Sequence, residues 1–168
     1  LSDCQGRVRS MALVHEHIYR CGDLNRVNVK AHILALAEAV LRHYDLSDKV
    51  RLDLNVTYDR TTLDNLIPLT LLLNELLSNS AKHAFIGRDS GRISIAVRVA
   101  EEGLCEFVYS DDGVGMEVNQ FFSGGSFGIE LVRTLAAQLN GTIRLLRGEG
   151  TTVQMTFGPE DRHLRKAS

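Results

Sequence analysis

The chain has 168 residues, of which 44% are hydrophobic and 24% are charged. This size and composition fit one globular domain with a sizeable core. The net charge of −2, from 19 basic and 21 acidic residues, gives no electrostatic case for binding nucleic acid or an anionic membrane. The three cysteines are scattered without a C-x-x-C motif, which favours a reducing, cytoplasmic compartment over a disulfide framework.

The first half of the sequence predicts mainly helices. No apolar run approaches about 18 residues, and no signal peptide is present, so we expect no membrane contact from this stretch. Because the chain starts without Met and enters a helical pattern almost at once, we interpret it as part of a longer protein. Apolar spacing predicts helices over 8–19 and 29–44, the second capped by Asn28. Residues 50–58 alternate like a half-buried strand.

The second half predicts a sheet with two further helices. Residues 59–65 are predicted as a turn, and the next helix carries Pro68 near its start. Further elements are expected in this order: a strand at 92–99, a strand at 104–110, an amphipathic helix at 127–141, a closing hairpin to 158 and a polar tail at 159–168. The order predicts an α+β sandwich, with helices on one face of a mixed, mostly antiparallel sheet.

Polar groups follow one side of the helix that contains LLLNELLSNSAKHAF (71–85). At about 100° per residue, the polar members fall within roughly a third of the helix circumference. They are Glu75, Ser78, Asn79, Lys82 and His83, opposite Leu73, Leu77, Ser80, Ala81 and Ala84. A solvated face is one explanation. The mixture also suits a metal-bound polyphosphate, because oxygen ligands bind a hard divalent ion and Lys offsets phosphate charge.

Three glycine-containing stretches follow that helix. DDGVG (111–115) directly follows a predicted strand, SGGSFGIELV (123–132) opens a helix, and GEGTTVQMTF (148–157) opens the last strand. The exposed N–H groups at such a helix start favour phosphate. Each stretch alone is explained as well by an ordinary turn or loop, so the specific signal is their joint order.

In that order, residues 25–158 resemble the ATP-binding domain, of Bergerat-type fold, in the family of histidine kinases, gyrase-type ATPases, heat-shock chaperones and anti-sigma serine kinases. The resemblance implies ATP and Mg²⁺ as ligands. It implies that Asp111 accepts the adenine amino group, and that Asn79 coordinates Mg²⁺. The remaining matches are Lys82 and His83 near the phosphates, Gly113 and Gly115 in the first glycine box, Gly128 in the second, with Gly125 next to the Ser126–Phe127 replacement that precedes it, and Thr151 and Thr152 in the threonine box.

Glu75 matches a position where gyrase-like ATPases and anti-sigma kinases use a glutamate as a base on the nucleophile. A subset of histidine kinases also carries it. The resemblance therefore leaves two roles open for Glu75, a general base and a group beside the Mg²⁺ ligands.

The N-terminal stretch RVRSMALVHEHIYRCGDLNRVNV (7–29) resembles the end of the dimerisation region in HisKA_2-type bacterial histidine kinases, close to the HWE group. The short lid between Gly115 and Gly128 fits the same group. The resemblance implies a homodimer that transfers the γ-phosphoryl to a histidine upstream of this chain, and then to an aspartate of a response-regulator receiver domain. His15 is accordingly expected to be structural. The expected division is 1–24 for dimerisation, 25–158 for ATP binding and 159–168 for the tail.

Two other functions remain open. An anti-sigma-type serine kinase is allowed by Glu75 and the short lid, although residues 12–27 argue against it. A degenerate, non-catalytic module for dimerisation or phosphotransfer is the other alternative, and the intact Asn79, Asp111, Gly113 and Gly115 argue against that. A plain structural α+β domain is the least specific explanation.

Overall fold

The computed structural model describes residues 28–58, 61, 63–100, 104–115, 127–146 and 148–158. The predicted helix over 8–19, most of the predicted lid with Gly125, and the tail lie outside these residues. Within them, the helices are α1 (Val29–His43), α2 (Leu63–Asn79), a π-helical turn (Ser80–Ala84, the π turn) and α3 (Phe127–Gln138). The strands are β1 (Val50–Val56), β2 (Gly91–Val99), β3 (Cys105–Asp111), β4 (Thr142–Leu146) and β5 (Thr151–Phe157).

The strands form one sheet in the order β1-β2-β3-β5-β4. β1 runs parallel to β2, and the other three pairs are antiparallel. Side chains alternate between the faces, so that Ile95 and Val97 of β2 and Phe107 and Tyr109 of β3 are fully buried on the inner face. Apolar residues of all three helices join the same core. The predicted α+β fold with a mixed, mostly antiparallel sheet is therefore confirmed.

α1 begins as the sequence predicts. The Asn28 side chain accepts a hydrogen bond from the main-chain N–H of Ala31, at 2.9 Å, and so satisfies one of the unpaired donors of the first turn. The predicted apolar face is buried: Ile33, Leu36, Ala37, Val40 and Leu41.

α2 begins earlier than the sequence predicts, and this part of the prediction is wrong. The helix starts at Leu63, inside the predicted turn at 59–65, so Pro68 is its sixth residue and lies inside the helix. A proline in a helix interior costs about 3 kcal/mol. Each buried leucine contributes about 1.5–3 kcal/mol, and Leu69, Leu72, Leu73, Leu76 and Leu77 are at most 2% exposed. Burial of this face therefore outweighs the proline.

The π turn changes the direction of the side chains after Asn79. A π turn is wider than an α turn, so the angles assumed for an unbroken α-helix do not apply from Ser80 onwards. Ser80, predicted on the apolar side, is buried but bonded to polar groups of β3. At the end of the turn, the carbonyl oxygen of Ala84 accepts from the N–H of Val114, at 3.1 Å. This bond joins the helix end to the glycine-rich loop after β3.

No helix in the described ranges is long and apolar enough to cross a membrane.

Candidate functional site

The carboxylate of Asp111 lies at the centre of the site, at the end of β3, and the residue is 3% exposed. Its Oδ1 accepts from the N–H groups of Gly113, at 3.0 Å, and Thr151, at 3.1 Å. Its Oδ2 accepts from the Ser80 hydroxyl at 2.5 Å. The π turn, the loop after β3 and the start of β5 therefore converge on one carboxylate. These bonds balance the desolvation that burial imposes.

Tyr109 extends this network into the core. Its side chain is completely buried, and its hydroxyl donates to the Ser80 oxygen at 2.8 Å. Burial raises the pKa of Tyr109 far above its ordinary value, so the phenol keeps its proton. Neither Ser80 nor Tyr109 was among the residues that the sequence indicated for the site. The available signals were a serine directly after Asn79 and a tyrosine two positions before Asp111, on the same strand face.

Two glycines allow the backbone to close around Asp111. A Cβ on Gly113 would lie 2.4 Å from both the Cβ and the carbonyl oxygen of Ala84, so only glycine lets the loop dock on the π turn. Gly150 has a φ of +71°, and a Cβ there would lie 1.9 Å from the Asp111 carbonyl oxygen. Both residues are therefore glycine because of backbone packing around the carboxylate.

Asp112 fixes the same loop from its outer side. Its Oδ1 accepts from the N–H of Arg92 at 2.8 Å. Its carbonyl oxygen accepts from the Arg88 guanidinium, which follows the π turn. The loop is thus attached to β2 and to the segment after the π turn, which restricts the movement of Asp111.

A second group of polar side chains lies at the end of α2. Glu75 and Asn74 are each 3% exposed, and Asn79 follows Glu75 by one helical turn. Asn74 Oδ1 and Asn79 Nδ2 are buried and have no hydrogen-bond partner among the described residues. Buried polar groups are normally paired, so the unpaired amide nitrogen of Asn79, at the end of α2, leaves a hydrogen-bond donor for a polar ligand.

These residues fit Mg²⁺ bound together with phosphate. An amide oxygen and a carboxylate are hard oxygen donors, which this ion prefers. Within the described ranges, no three His, Cys, Asp or Glu side chains form a group that could hold a metal ion. Mg²⁺ commonly takes one or two protein ligands and completes its shell with water and substrate phosphates, so the small donor set suits it.

The remaining predicted residues take several positions. Lys82 is half-buried, His83 is exposed, and Gly128 is buried as the second residue of α3. Gly115, the last described residue of its loop, has a φ of +81°. Their roles in binding stay predictions.

The two threonines of the last box lie on opposite faces of the sheet. Thr151 shares the buried face with Asp111, which it opposes directly in the sheet. The Thr152 hydroxyl lies on the other face, 2.8 Å from the Ser110 hydroxyl. A role for Thr152 in binding also stays a prediction, and from this position it would act through the main chain.

The family follows from comparison with known proteins. Residues 64–161 match the model of the histidine kinase-, DNA gyrase B- and HSP90-like ATPase family. This match covers more than half of the chain, so the chain belongs to that family. Residues 1–44 match the HisKA_2 histidine kinase model. The predicted recognition, an ATPase domain of a HisKA_2-type histidine kinase, is confirmed by these two matches.

Individual proteins and solved structures are similar to this chain. Blue-light-activated histidine kinase 2 of Erythrobacter litoralis is 23% identical over 152 residues, which are 88% of this chain but 44% of that protein. The chain thus spans less than half of this curated relative. The solved histidine kinase domain of the Erythrobacter litoralis EL346 blue-light activated histidine kinase superposes with a TM-score of 0.81 at 22% identity, covering 95% of this chain and 76% of that one. The solved structure of the mycobacterial sensor histidine kinase MprB superposes with a TM-score of 0.59 at 19% identity, covering 78% of this chain and 95% of that one.

Proposed function

We propose that this chain is the ATP-binding catalytic part of a sensor histidine kinase. The observation that carries the proposal is the convergence of Ser80, Gly113 and Thr151 on the Asp111 carboxylate. These donors come from three of the sequence boxes that the family uses for nucleotide. An ionised carboxylate only accepts hydrogen bonds, so it suits a base that presents an amino group, as adenine does.

The phosphates would lie towards the end of α2. We propose Asn79 as the Mg²⁺ ligand, with Lys82 and His83 near the phosphates, and Glu75 as the base that takes a proton from the nucleophile. Bound Mg²⁺ would neutralise charge that develops on the phosphates. The first turn of α3, which contains Gly128, would offer N–H groups to the same phosphates, together with Gly125 before it in the sequence. Gly115, Thr151 and Thr152 would border the nucleotide.

The acceptor is proposed to be a histidine of the dimerisation region, with a receiver-domain aspartate as the next acceptor. The HisKA_2 match of residues 1–44 supports a histidine kinase, and the predicted homodimer, over the anti-sigma-type serine kinase. The curated relative also carries histidine kinase in its name. We place the reaction in the cytoplasm, and we retain residues 25–158 as the proposed ATP-binding unit.

The test is a calorimetric titration of the whole chain with a non-hydrolysable ATP analogue, with and without Mg²⁺. We expect saturable binding that Mg²⁺ strengthens, and its loss in Asp111→Asn, because an amide would place a donor against the adenine amino group. Asp53→Asn is the matched control, since Asp53 lies on the outer face of β1 and pairs with Arg51 at 3.0 Å. If the folded wild-type chain takes up no analogue, the non-catalytic alternative becomes the better explanation.

A further inference from the structure

The hydrogen bonds around Ser80 have only one consistent direction. The Asp111 carboxylate can only accept, so the single hydroxyl hydrogen of Ser80 must point at Asp111 Oδ2. Ser80 therefore offers a lone pair to Tyr109, whose buried phenol donates to it at 2.8 Å. The result is a directed chain from the core to the carboxylate, which we call the hydroxyl chain: Tyr109, then Ser80, then Asp111.

The two carboxylate oxygens of Asp111 accept different numbers of hydrogen bonds. Oδ1 accepts from the two main-chain N–H groups of Gly113 and Thr151, whereas Ser80 is the one donor to Oδ2 among the described residues. A carboxylate oxygen accepts about two hydrogen bonds. Oδ1 is thus filled, and the remaining acceptor position belongs to Oδ2, the oxygen whose place Ser80 fixes.

We propose that Ser80, held by Tyr109, is a positioning residue that aims Asp111 Oδ2 at the nucleotide base and so sets the preference for bases with an exocyclic amino group. This inference rests on the proposed function. The ionised carboxylate has no hydrogen to donate, so Oδ2 presents lone pairs alone, and the Ser80 hydroxyl holds that oxygen in place. An amino group satisfies them, whereas a carbonyl oxygen in the same place would oppose one acceptor with another.

A purely structural role for Ser80 makes a different prediction. If the hydroxyl only satisfies buried groups, its removal lowers stability and affects all nucleotides equally. If the hydroxyl positions Oδ2, its removal weakens the binding of nucleotides whose amino group bonds to Oδ2. The binding of nucleotides without that amino group stays unchanged. The discriminating quantity is therefore the ratio of two dissociation constants, together with the unfolding temperature.

The experiment titrates the whole chain with ATP and with purine riboside triphosphate, which lacks the 6-amino group, both with Mg²⁺. For Ser80→Ala we expect ATP to bind about tenfold more weakly and purine riboside triphosphate to change by less than about twofold. Thr70→Val, on the α2 helix that precedes the π turn, is the matched control. It deletes a buried hydroxyl that donates to the Leu66 carbonyl oxygen at 2.6 Å and lies 2.9 Å from His32 Nε2, and the nucleotide ratio should not change.

Tyr109→Phe tests the hydroxyl chain while residue 80 remains serine. ATP should bind about threefold more weakly, with little change for purine riboside triphosphate, because the Ser80 hydroxyl loses the hydrogen bond from Tyr109. In the double variant Ser80→Ala/Tyr109→Phe, the nucleotide ratio should equal that of Ser80→Ala alone, since Tyr109 acts through Ser80.

Equal weakening of both nucleotides, or independent effects of the two substitutions, would overturn the inference and leave the proposed function standing. Failure of the folded wild-type chain to bind ATP would overturn the proposed function, and the inference with it.

Discussion

Gly150 lies against the carbonyl group of Asp111 so closely that a Cβ on Gly150 would come within 1.9 Å of the carbonyl oxygen. The next residue, Thr151, donates its N–H to the Asp111 side chain at 3.1 Å. One short turn therefore touches both the main chain and the carboxylate of the same aspartate. Gly150 also has a φ of +71°, a left-handed backbone conformation that favours glycine.

Gly150→Ala is expected to lower the free energy of unfolding by about 1–3 kcal/mol, because the new Cβ clashes and the left-handed backbone is strained. It should also weaken binding of the ATP analogue, since Thr151 and Asp111 must separate. Urea unfolding and titration measure the two effects. Gly148→Ala is the matched control in the same turn, where a Cβ would meet nothing within 4 Å. Equal behaviour of the two variants would contradict this account.

Asn79→Ala is expected to abolish the strengthening of nucleotide binding by Mg²⁺. Without Mg²⁺, the affinity should stay within about twofold of wild type, because Asp111 and its donors are unchanged. The measurement is a titration with the ATP analogue over a series of Mg²⁺ concentrations. Asn55→Ala, an exposed asparagine on β1, is the control. Full Mg²⁺ enhancement in Asn79→Ala would place the ion elsewhere.

Glu75→Gln tests the proposed role of this buried residue as a base against the alternative role beside the Mg²⁺ ligands; the residue is 3% exposed. If Glu75 is a general base, neutralising it should slow phosphoryl transfer by about 100-fold or more. Binding of the ATP analogue should change little, because the glutamine has the same shape. The rate of phosphohistidine formation is measured in a protein that carries the acceptor histidine. Glu38→Gln, at an exposed position of α1, is the control. An undiminished rate would leave Glu75 beside the Mg²⁺ ligands instead.

Features that depend on neighbouring residues were predictable from the sequence. Asn28 caps α1 because the cap involves only the next three residues. β2 alternates in burial as its sequence alternates, and DDGVG directly after a strand made Asp111 a candidate whose role in binding stays a prediction. These signals are short-range, so no knowledge of the tertiary structure was needed.

Ser80 was missed because its role depends on winding and on distant partners. An unbroken α-helix places it with the apolar residues, whereas the π turn directs it to Asp111, 31 positions away. Pro68 misled in the same way, since a local rule places proline at a helix start but core packing keeps the helix intact around it. In both cases tertiary contacts outweigh a local preference.

Asn28→Ala is expected to destabilise the protein by about 1 kcal/mol, because the N–H of Ala31 loses its side-chain acceptor. Asn28→Asp keeps an acceptor at the cap, so its free energy of unfolding should stay within a few tenths of a kcal/mol of wild type. Urea unfolding of the two variants beside wild type measures the difference. Equal stability of the alanine and aspartate variants would show that the cap contributes nothing.

The outer face of the sheet carries a carboxylate that should make stability depend on pH. Glu106 Oε2 lies 2.5 Å from Arg98 Nε, and Gln154 donates to Oε1 at 2.6 Å. The hydrogen bond from Arg98, with that from Gln154, lowers the pKa of Glu106 below its ordinary value of 4.5. Because the folded pKa is the lower one, the ionised carboxylate stabilises the fold above pH 4.5. That contribution is lost as pH falls through the folded pKa.

Glu106→Gln should therefore lower the free energy of unfolding by about 0.5–1 kcal/mol at neutral pH, and the difference from wild type should shrink as the solution is acidified below the ordinary pKa of a glutamate. Urea unfolding at a series of pH values measures this difference. Arg98→Gln should remove the larger part of this pH-dependent contribution, because Arg98 is the main cause of the lowered pKa and Gln154 the second. Combining the two substitutions should add little to Glu106→Gln alone, since both break the pair between Arg98 and Glu106. A difference that is constant across the pH series would mean that Glu106 contributes by packing, since loss of packing does not depend on the charge of the carboxylate.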